Sequence, residues 1–376
     1  MYLQRLQLIN FKNYPSSEME LLPTMNCITG NNGAGKTNIL DAVHYLSMSK
    51  SYLNSVDRQN IRFEQPFFVI QGGFVREEVQ FDIQCSVKMG AKKVFRRNKK
   101  EYEKLADHIG EFPTVMISPY DRNLITEGSD VRRKWIDGII TQFNKNYLFD
   151  LQRYNKVLEQ RNALLKNMAY NGFFDVESIE VWNDQMVNYG SKIHATRKAF
   201  LEDFIPLFQK AYDYIGTEEE KVDLVYRSQL NDNSFPELLE EFKRKDAQSQ
   251  YSNVGTHKDD LLFQIKGHPV KKFGSQGQQK SYLIALRLAQ FEWLTSHLNK
   301  KPILLLDDIF DKLDDTRVER LMKMVSDETF GQVLVTDTSE DRLRDIFSKI
   351  EIPIRFFRVE ENQVECPELL KSVENE

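Results

Sequence analysis

The residues with the clearest chemistry form a run of eight near the N-terminus that is rich in glycine and ends in lysine and threonine. Residues 30–37, Gly-Asn-Asn-Gly-Ala-Gly-Lys-Thr, fit the pattern G-x-x-x-x-G-K-[ST] of a phosphate-binding loop. Glycine lets backbone N–H groups turn inward around phosphate oxygens, where a side chain would collide. A helical pattern follows the loop, so the positive end of a helix dipole adds to the attraction for anions. The run therefore predicts a site for the phosphates of ATP.

Each loop position has an expected role in this site. Lys36 would reach the β- and γ-phosphates as a point charge, and the Thr37 hydroxyl would be a ligand of Mg²⁺. The alternative is a glycine-rich turn without a ligand. The loop residues predicted to surround ATP are Gly30, Asn31, Asn32, Gly33, Ala34, Gly35, Lys36 and Thr37.

A second candidate is the apolar run of residues 303–306, which ends in Asp307 and Asp308. Such a run is typical of a buried parallel strand, and ligands bind at the carboxyl ends of these strands. We expect Asp307 to hold Mg²⁺, directly or through water, and Asp308 to polarise the attacking water. Aspartate is shorter than the glutamate that many such ATPases use, so slow hydrolysis is expected; a pair that only caps a helix is the alternative. Asp311 and Asp314 stand where a D-loop would contact a second subunit.

A third candidate, Ser-Gln-Gly-Gln at residues 275–278, directly precedes an apolar helical run and has the form of an ABC-type signature. The Ser275 hydroxyl, the Gly277 N–H and the helix dipole would form a second anion site, flanked by Gln276 and Gln278. In this class the signature of one subunit closes over ATP held by the other. The segment therefore predicts a homodimer that clamps two ATP molecules. The alternative is a polar turn that caps the helix.

Composition excludes several classes of protein. The chain has 376 residues, of which 41% are hydrophobic and 28% charged, so it can bury a sizeable core. Lys and Arg total 51 against 56 Asp and Glu, so any binding of nucleic acid depends on a local patch. The chain contains no run of 18 apolar residues, so no membrane association is expected. Three distant cysteines predict neither a disulfide framework nor a zinc site and fit a reducing cytoplasm.

Periodicity divides the chain into an α/β head and a helical insertion. Strand patterns dominate the first 120 residues and return after the middle of the chain, whereas apolar residues at helical spacing fill the region between. The predicted head is therefore discontinuous, with residues 1–121 and 248–376, and residues 122–247 form the insertion. Two long helices packed antiparallel are expected in the insertion. The acidic residues from 360 onward are expected to be frayed.

The motifs together resemble one family. The opening segment 8–14, Leu-Ile-Asn-Phe-Lys-Asn-Tyr, the segment 118–121, the segment 158–162 and the segment 255–260 add to the three motifs above. In this combination the chain resembles bacterial RecF, which belongs with SMC and Rad50 among the ABC-type ATPases. The resemblance implies a Rad50-like ABC-type P-loop ATPase head with an inserted helical arm. Lys12 and Asn38 are expected as further ATP contacts. Lys258 replaces the usual arginine and keeps its charge without the bidentate fork.

The resemblance implies a function in DNA damage repair, the SOS response and replication-fork maintenance. The implied protein is a cytoplasmic, nucleoid-associated clamp that binds double-stranded DNA next to single-stranded gaps. It works with RecR and RecO and helps to load recombinase. Its weak, DNA-stimulated ATPase activity, with Asp308, Lys36 and Ser275 in the catalytic roles, would act as a switch that uses ATP and Mg²⁺.

One hairpin is a candidate surface for DNA. Residues 86–105 contain eight Lys or Arg and two Glu, and such cations can face phosphates. A solvated hairpin face without a ligand is the alternative. The predicted DNA contacts are Lys92, Lys93, Arg96, Arg97, Lys99 and Lys100.

Two other functions stay open at this point. A soluble ATPase subunit of a membrane transporter would share the phosphate loop and signature. Asp337 stands where transporter ATPases usually carry a switch histidine, and the long helical insertion also argues against that function. A scaffold that binds ATP without hydrolysing it is the third hypothesis, which Asp308 in place of glutamate keeps open.

Overall fold

A computed structural model describes residues 1–172, 175–216, 220–310, 315–326, 329–348 and 352–370. The strands are β1 (Tyr2–Phe11), β2 (Tyr14–Glu20), β3 (Met25–Thr29), β4 (Phe67–Arg76), β5 (Val79–Lys88), β6 (Val94–Arg97), β7 (Lys100–Glu101), β8 (Thr114–Ile117), β9 (Val222–Arg227), β10 (Asp260–Ile265), β11 (His268–Pro269), β12 (Ile303–Asp307), β13 (Val333–Asp337), β14 (Ile354–Glu360) and β15 (Gln363–Leu370). The helices are α1 (Lys36–Met48), α2 (Asn123–Thr126), α3 (Ser129–Phe143), α4 (Lys145–Asn171), α5 (Val176–Ile215), α6 (Phe235–Glu241), α7 (Lys243–Ser249), α8 (Val270–Phe273), α9 (Gln276–Leu298), α10 (Asp315–Ser326) and α11 (Glu340–Phe347).

The chain divides into two compact units. The head unit contains residues 1–122, 211–218 and 280–376, and the insertion unit contains residues 123–210 and 219–279. This division differs from the predicted one in two places. Residues 211–218 of the predicted insertion group with the head unit, and residues 248–279 of the predicted head group with the insertion unit. The physical reason for the second difference is that β10 pairs with β9 along its whole length, which keeps both strands in one hydrogen-bonded sheet.

A largely parallel sheet in the head unit positions the candidate site. Its order is β15-β14-β3-β13-β12-β8, and neighbours from β14 to β8 are parallel. The strands β3, β12 and β13 are buried along their whole length, as the continuous apolar run of β12 predicts for that strand. The expectation of fraying from residue 360 onward is wrong for β15, which pairs antiparallel with β14 from Gln363 to Leu370.

An antiparallel sheet of order β2-β1-β4-β5-β6-β7 completes the head unit. Helix α1 contacts β4 and β5 of this sheet and β8, β12 and β13 of the parallel sheet. Its buried residues Ile39, Val43 and Leu46 therefore belong to one apolar core shared with both sheets. Buried Gln332 also joins the sheets, because its amide donates to the carbonyl oxygens of Leu3 and Leu22, each at 2.7 Å.

The insertion unit combines long helices with the small sheet β11-β10-β9. Helices α4 and α5 are the two long helices that the periodicity predicts, and Gly172 ends α4 in the left-handed conformation. Among the described residues, none of the helices has the length and apolar character that a bilayer crossing needs.

Several polar residues that carry the family resemblance form buried contacts within the insertion unit. Arg161 donates to Asp246 Oδ2 and to Ser252 Oγ, both at 2.7 Å. Arg197 donates to Asp259 Oδ2 at 2.8 Å. A buried guanidinium needs a partner of opposite charge, and the carboxylates of Asp246 and Asp259 are those partners here. These residues therefore hold the insertion unit together.

His257 is part of the same buried structure. Its Nε2 lies 3.1 Å from the Ser252 carbonyl oxygen and its Nδ1 lies 2.9 Å from the Tyr154 hydroxyl. Since a carbonyl only accepts, Nε2 carries the proton and Nδ1 accepts from Tyr154. Burial lowers the pKa of His257 to about 4.

Candidate nucleotide-binding site

The phosphate loop connects β3 to α1 and depends on three glycines. Gly30, Gly33 and Gly35 have φ angles of 149°, 82° and 112°, a region that side chains disfavour. A Cβ atom on Gly30 would lie 2.4 Å from the Val359 carbonyl oxygen, and one on Gly35 would lie 2.3 Å from Asn13 Nδ2. The backbone can therefore follow this path only with glycine at both positions.

Lys36 is the first residue of α1, and its ammonium lies against the loop. Its Nζ donates to the carbonyl oxygens of Gly30 at 2.8 Å and Asn31 at 3.1 Å, and the residue is 4% exposed. An ammonium has three protons. These two carbonyls therefore leave one ammonium proton that Lys36 can donate to a phosphate oxygen. A phosphate could accept the other two protons only by displacing the carbonyl oxygens.

Side-chain oxygens from α1, β12, β13 and the segment after β8 lie together beside the loop. Thr37 Oγ1 donates to Asp307 Oδ1 at 2.8 Å, and Thr336 Oγ1 donates to the same oxygen at 3.0 Å. Ser118 Oγ donates to Asp307 Oδ2 at 3.0 Å. The structure thus brings together the two predicted metal ligands, Thr37 and Asp307. A carboxylate and a hydroxyl beside a phosphate site fit the preference of Mg²⁺ for oxygen.

Asp308 follows Asp307 in an unusual backbone conformation. Its φ of 46° lies in the left-handed region, which aspartate tolerates better than most residues. Its N–H donates to Thr336 Oγ1 at 3.1 Å, so the turn after β12 is fixed by the neighbouring strand β13. The predicted D-loop residues, Asp311 and Asp314, lie outside the described residues.

Asp337 occupies the end of β13, where the sequence lacks the switch histidine. The side chain is buried, and its Oδ1 accepts from the Ser339 N–H at 2.8 Å. Arg342 Nη1 lies 3.6 Å from Asp337 Oδ2. This carboxylate therefore organises the turn that leads into α11.

The two further predicted ATP contacts bond to protein side chains in this structure. Lys12 Nζ lies 2.5 Å from Asp41 Oδ2, and Asn38 Nδ2 donates to Asn13 Oδ1 at 2.6 Å. Asn13 in turn donates to the Ala34 carbonyl oxygen at 3.1 Å. Asn13 thus fixes both the loop and the first turn of α1. Sequence reasoning missed this role, although Asn13 lies in the segment 8–14 that contributes to the resemblance.

A buried ion pair lies next to Ser118 and was also missed from the sequence. Arg287 Nη2 lies 2.5 Å from Asp121 Oδ1 and donates to the Tyr52 hydroxyl at 2.8 Å. Asp121 Oδ2 accepts from the Ser118 N–H at 3.0 Å. Burial by itself lowers the pKa of Arg287, but Asp121 and Tyr52 raise it above its ordinary value. The guanidinium therefore stays charged and holds the segment that carries Ser118.

The predicted signature forms a capping box at the start of α9. The Ser275 N–H donates to Gln278 Oε1 at 2.7 Å, and the Gln278 N–H donates to Ser275 Oγ at 3.2 Å. Ser275 and Gln276 are exposed, and Gly277 is half-buried. Because the Ser275 oxygen is an acceptor in this box, its own proton can be donated elsewhere. The helix cap expected as the alternative is therefore present and is compatible with an anion site.

The six cations predicted to contact DNA do not share one face. Lys93 Nζ lies 2.8 Å from Asp57 Oδ2, and Arg96 Nη1 donates to Gln84 Oε1 at 3.1 Å. Since residues alternate along a strand, Arg96 and Arg97 of β6 point to opposite sides of the sheet. The remaining three are exposed, namely Lys92, Lys99 and Lys100.

The glycine loop between β3 and α1, with Asp307 at the end of a parallel strand, defines the head of an ABC-type P-loop ATPase. The family model for the RecF/RecN/SMC N-terminal domain matches residues 2–362. The chain is 48% identical over 366 residues to the DNA replication and repair protein RecF of Phocaeicola vulgatus, covering 97% of this chain and 98% of that one. It is 47% identical over 359 residues to the protein of the same name from Flavobacterium johnsoniae, covering 96% and 100%.

A solved structure agrees with these relatives. The recombination mediator protein RecF with ATP, of the RecFOR pathway, superposes with a TM-score of 0.88 at 28% identity and covers 98% of each chain. The chain belongs to the RecF family.

Proposed function

We propose that the protein is an ATP-dependent DNA-binding clamp in recombinational repair and replication-fork maintenance. It dimerises on ATP at duplex DNA next to single-stranded gaps and helps to load recombinase together with RecO and RecR. Slow hydrolysis resets the clamp. The observation that carries the proposal is the contact of Thr37 with Asp307, 2.8 Å long, beside a glycine loop that encloses Lys36. The names of the similar proteins, which specify DNA replication and repair and ATP, support it.

Each residue has a definite task in this function. The loop N–H groups and Lys36 bind the phosphates, and Thr37 and Asp307 would hold Mg²⁺. Bound ATP with Mg²⁺ would supply the phosphoryl group and the charge that the second subunit recognises. Asp308 accepts a hydrogen bond from the attacking water and orients it. Ser275 and its neighbouring N–H groups on the second subunit cover the γ-phosphate.

The dimer is tested by the mass in solution, measured by light scattering with and without ATP at two salt concentrations. The wild-type protein is expected to dimerise with ATP. The Lys36→Met variant should lose ATP binding and stay monomeric. The Ser275→Arg variant should bind ATP normally yet stay monomeric, because arginine blocks the second anion site. Dimers of the Ser275→Arg variant would refute the role of the signature in the second subunit.

The clamp on DNA is tested in parallel by fluorescence anisotropy with a gapped duplex. The affinity should rise with ATP and fall steeply with salt, because phosphate contacts release counterions. The Ser275→Arg variant should lose the ATP-dependent part of the affinity. If ATP changes neither affinity nor mass, the clamp proposal fails.

Measuring ATP hydrolysis distinguishes the proposed clamp from a scaffold that binds ATP without hydrolysing it. Steady-state release of phosphate by the wild-type protein should be slow and should increase with DNA. The Asp308→Asn variant should bind ATP and dimerise but release phosphate at the background rate given by Lys36→Met. A wild-type rate equal to that background would favour the scaffold.

A further inference from the structure

One end of the antiparallel sheet exposes large apolar side chains. Residues 62–65 form a turn closed by the hydrogen bond from the Gln65 N–H to the Arg62 carbonyl oxygen at 3.0 Å. Phe63 on this turn is 85% exposed, which is unusual for a ring of this size. Three further apolar residues at this end are exposed, namely Met89 (63%), Ile9 (44%) and Phe67 (36%).

Backbone pairing places these residues next to each other. Phe67 of β4 pairs with Lys88 of β5, and the Met89 N–H donates to the Pro66 carbonyl oxygen at 3.0 Å. The Arg62 N–H donates to the Asn10 carbonyl oxygen at 2.8 Å, which brings the end of β1 to the same turn. Residues 9–10, 62–67 and 88–92 thus form one surface, called here the sheet-end surface.

The sheet-end surface is cationic as well as apolar. Its residues, 9–10, 62–67 and 88–92, include Arg62, Lys88 and Lys92, with Glu64 as the only carboxylate. Lys93 is excluded from this set because its ammonium is bound to Asp57. A partner must therefore cover an aromatic ring and carry negative charge at the same time.

Unpaired nucleotides have this combination of properties. Each base offers a flat ring that can stack on an aromatic side chain, and each nucleotide carries a phosphate that attracts Lys and Arg. In continuous duplex DNA the bases are already stacked, so an exposed ring gains little there. We propose that the sheet-end surface binds the unpaired nucleotides at a single-stranded gap, with Phe63 stacking on a base and Arg62, Lys88 and Lys92 facing phosphates.

This inference rests on the proposed function and assigns the gap recognition to particular residues. Stacking of one base on an aromatic side chain changes the affinity by roughly 5- to 150-fold. The Phe63→Ala variant should therefore weaken binding to gapped DNA by roughly tenfold and leave binding to a continuous duplex unchanged. Tyr170, 90% exposed on α4, provides a matched control, and Tyr170→Ala should change neither affinity.

The experiment uses the full-length protein, two duplexes of equal length and fluorescence anisotropy with ATP at fixed salt. One duplex is continuous, and the other contains a gap with 2-aminopurine at its first unpaired position. Wild type should quench the 2-aminopurine fluorescence, whereas Phe63→Ala should not. The Lys92→Ala variant should lower the salt dependence of gapped-DNA binding by about one phosphate contact. Circular dichroism and thermal unfolding should be the same for all variants.

The outcomes separate the inference from the function. If wild type binds duplex DNA in an ATP-dependent manner but Phe63→Ala keeps full affinity and quenching on gapped DNA, the inference is wrong and the proposed function stands. In that case the exposed sheet-end surface is better explained by binding of a protein partner. If wild type binds neither duplex with ATP, the proposed function fails, and the inference fails with it.

Discussion

Thr37 and Asp307 lie 270 positions apart in the chain, yet their side-chain oxygens are joined by a hydrogen bond of 2.8 Å. The contact forms because α1 begins beside the carboxyl end of β12. Replacing Asp307 by Asn keeps the shape of the side chain and removes its negative charge. We expect Asp307→Asn to lose the Mg²⁺ dependence of ATP binding and to hydrolyse no ATP. Titration of a fluorescent ATP analogue with Mg²⁺ and with EDTA measures this directly.

Ser118→Ala is the control for that substitution. It removes one hydrogen bond to Asp307 Oδ2 and keeps the carboxylate. Since an ordinary hydrogen bond contributes about 1 kcal/mol, the Mg²⁺ dependence should persist with a modest loss of affinity. An Asp307→Asn protein that still binds ATP more tightly with Mg²⁺ than with EDTA would exclude Asp307 as the metal ligand.

Asn13 should matter for ATP binding although it carries no charge. Its amide donates to the Ala34 carbonyl oxygen and its carbonyl accepts from Asn38. Asn13→Ala removes the bond to the loop and the bond to the first turn of α1, and we expect a loss of ATP affinity of roughly tenfold, or about 1.4 kcal/mol. Isothermal titration measures the affinity, and thermal unfolding shows whether the fold is intact. Asn362→Ala, which removes only one contact of Asn13, should have a smaller effect. Equal affinities of Asn13→Ala and wild type would contradict the prediction.

The Arg161–Asp246 pair should contribute strongly to the stability of the insertion unit. Both side chains are 1% exposed. Arg161→Gln leaves a buried carboxylate without its counter-charge, which costs roughly 3–5 kcal/mol of the free energy of unfolding. Adding Asp246→Asn to this variant should recover part of the lost free energy of unfolding, because position 246 then carries no buried charge. Denaturation by urea measures both variants.

An exposed ion pair serves as the comparison for Arg161. Lys134 and Asp130 lie 3.6 Å apart with side chains 78% and 57% exposed. Lys134→Gln should change the free energy of unfolding by less than about 1 kcal/mol. The prediction for Arg161 is refuted by a loss of the same small size.

His257 should make the protein less stable in acid. The pKa of His257 is lowered by burial from 6.5 to about 4. Between these values the unfolded chain binds a proton that the folded protein does not, so the free energy of unfolding falls as the pH drops. By pH 5 the titration of His257 lowers the free energy of unfolding by roughly 2 kcal/mol.

The variant His257→Gln removes this titration and should show a shallower loss of stability between pH 7 and pH 5. Urea denaturation at several pH values gives the slope for both proteins. His268→Gln, at an exposed histidine, is the control and should keep the wild-type slope. Identical slopes for wild type and His257→Gln would disprove the assignment.

Local sequence patterns were enough to predict several parts of this protein. The phosphate loop, the start of α1 near Lys36, the buried strand that ends in Asp307 and the two long helices follow from glycine spacing and apolar period. These features are set by backbone conformation and burial within short segments, so a single stretch of sequence specifies them. The family resemblance also rests on such segments.

Contacts between distant side chains became known from the folded chain and not from the sequence. The contacts of Asp307 with Ser118 and Thr336, and the clamp that Asn13 forms on the loop, join segments that no spacing rule connects. The same holds for residues 248–279, whose membership in the insertion unit depends on the pairing of β10 with β9. A strand pattern gives the alternation of faces but not the partner, because pairing depends on hydrogen bonds between remote parts of the chain.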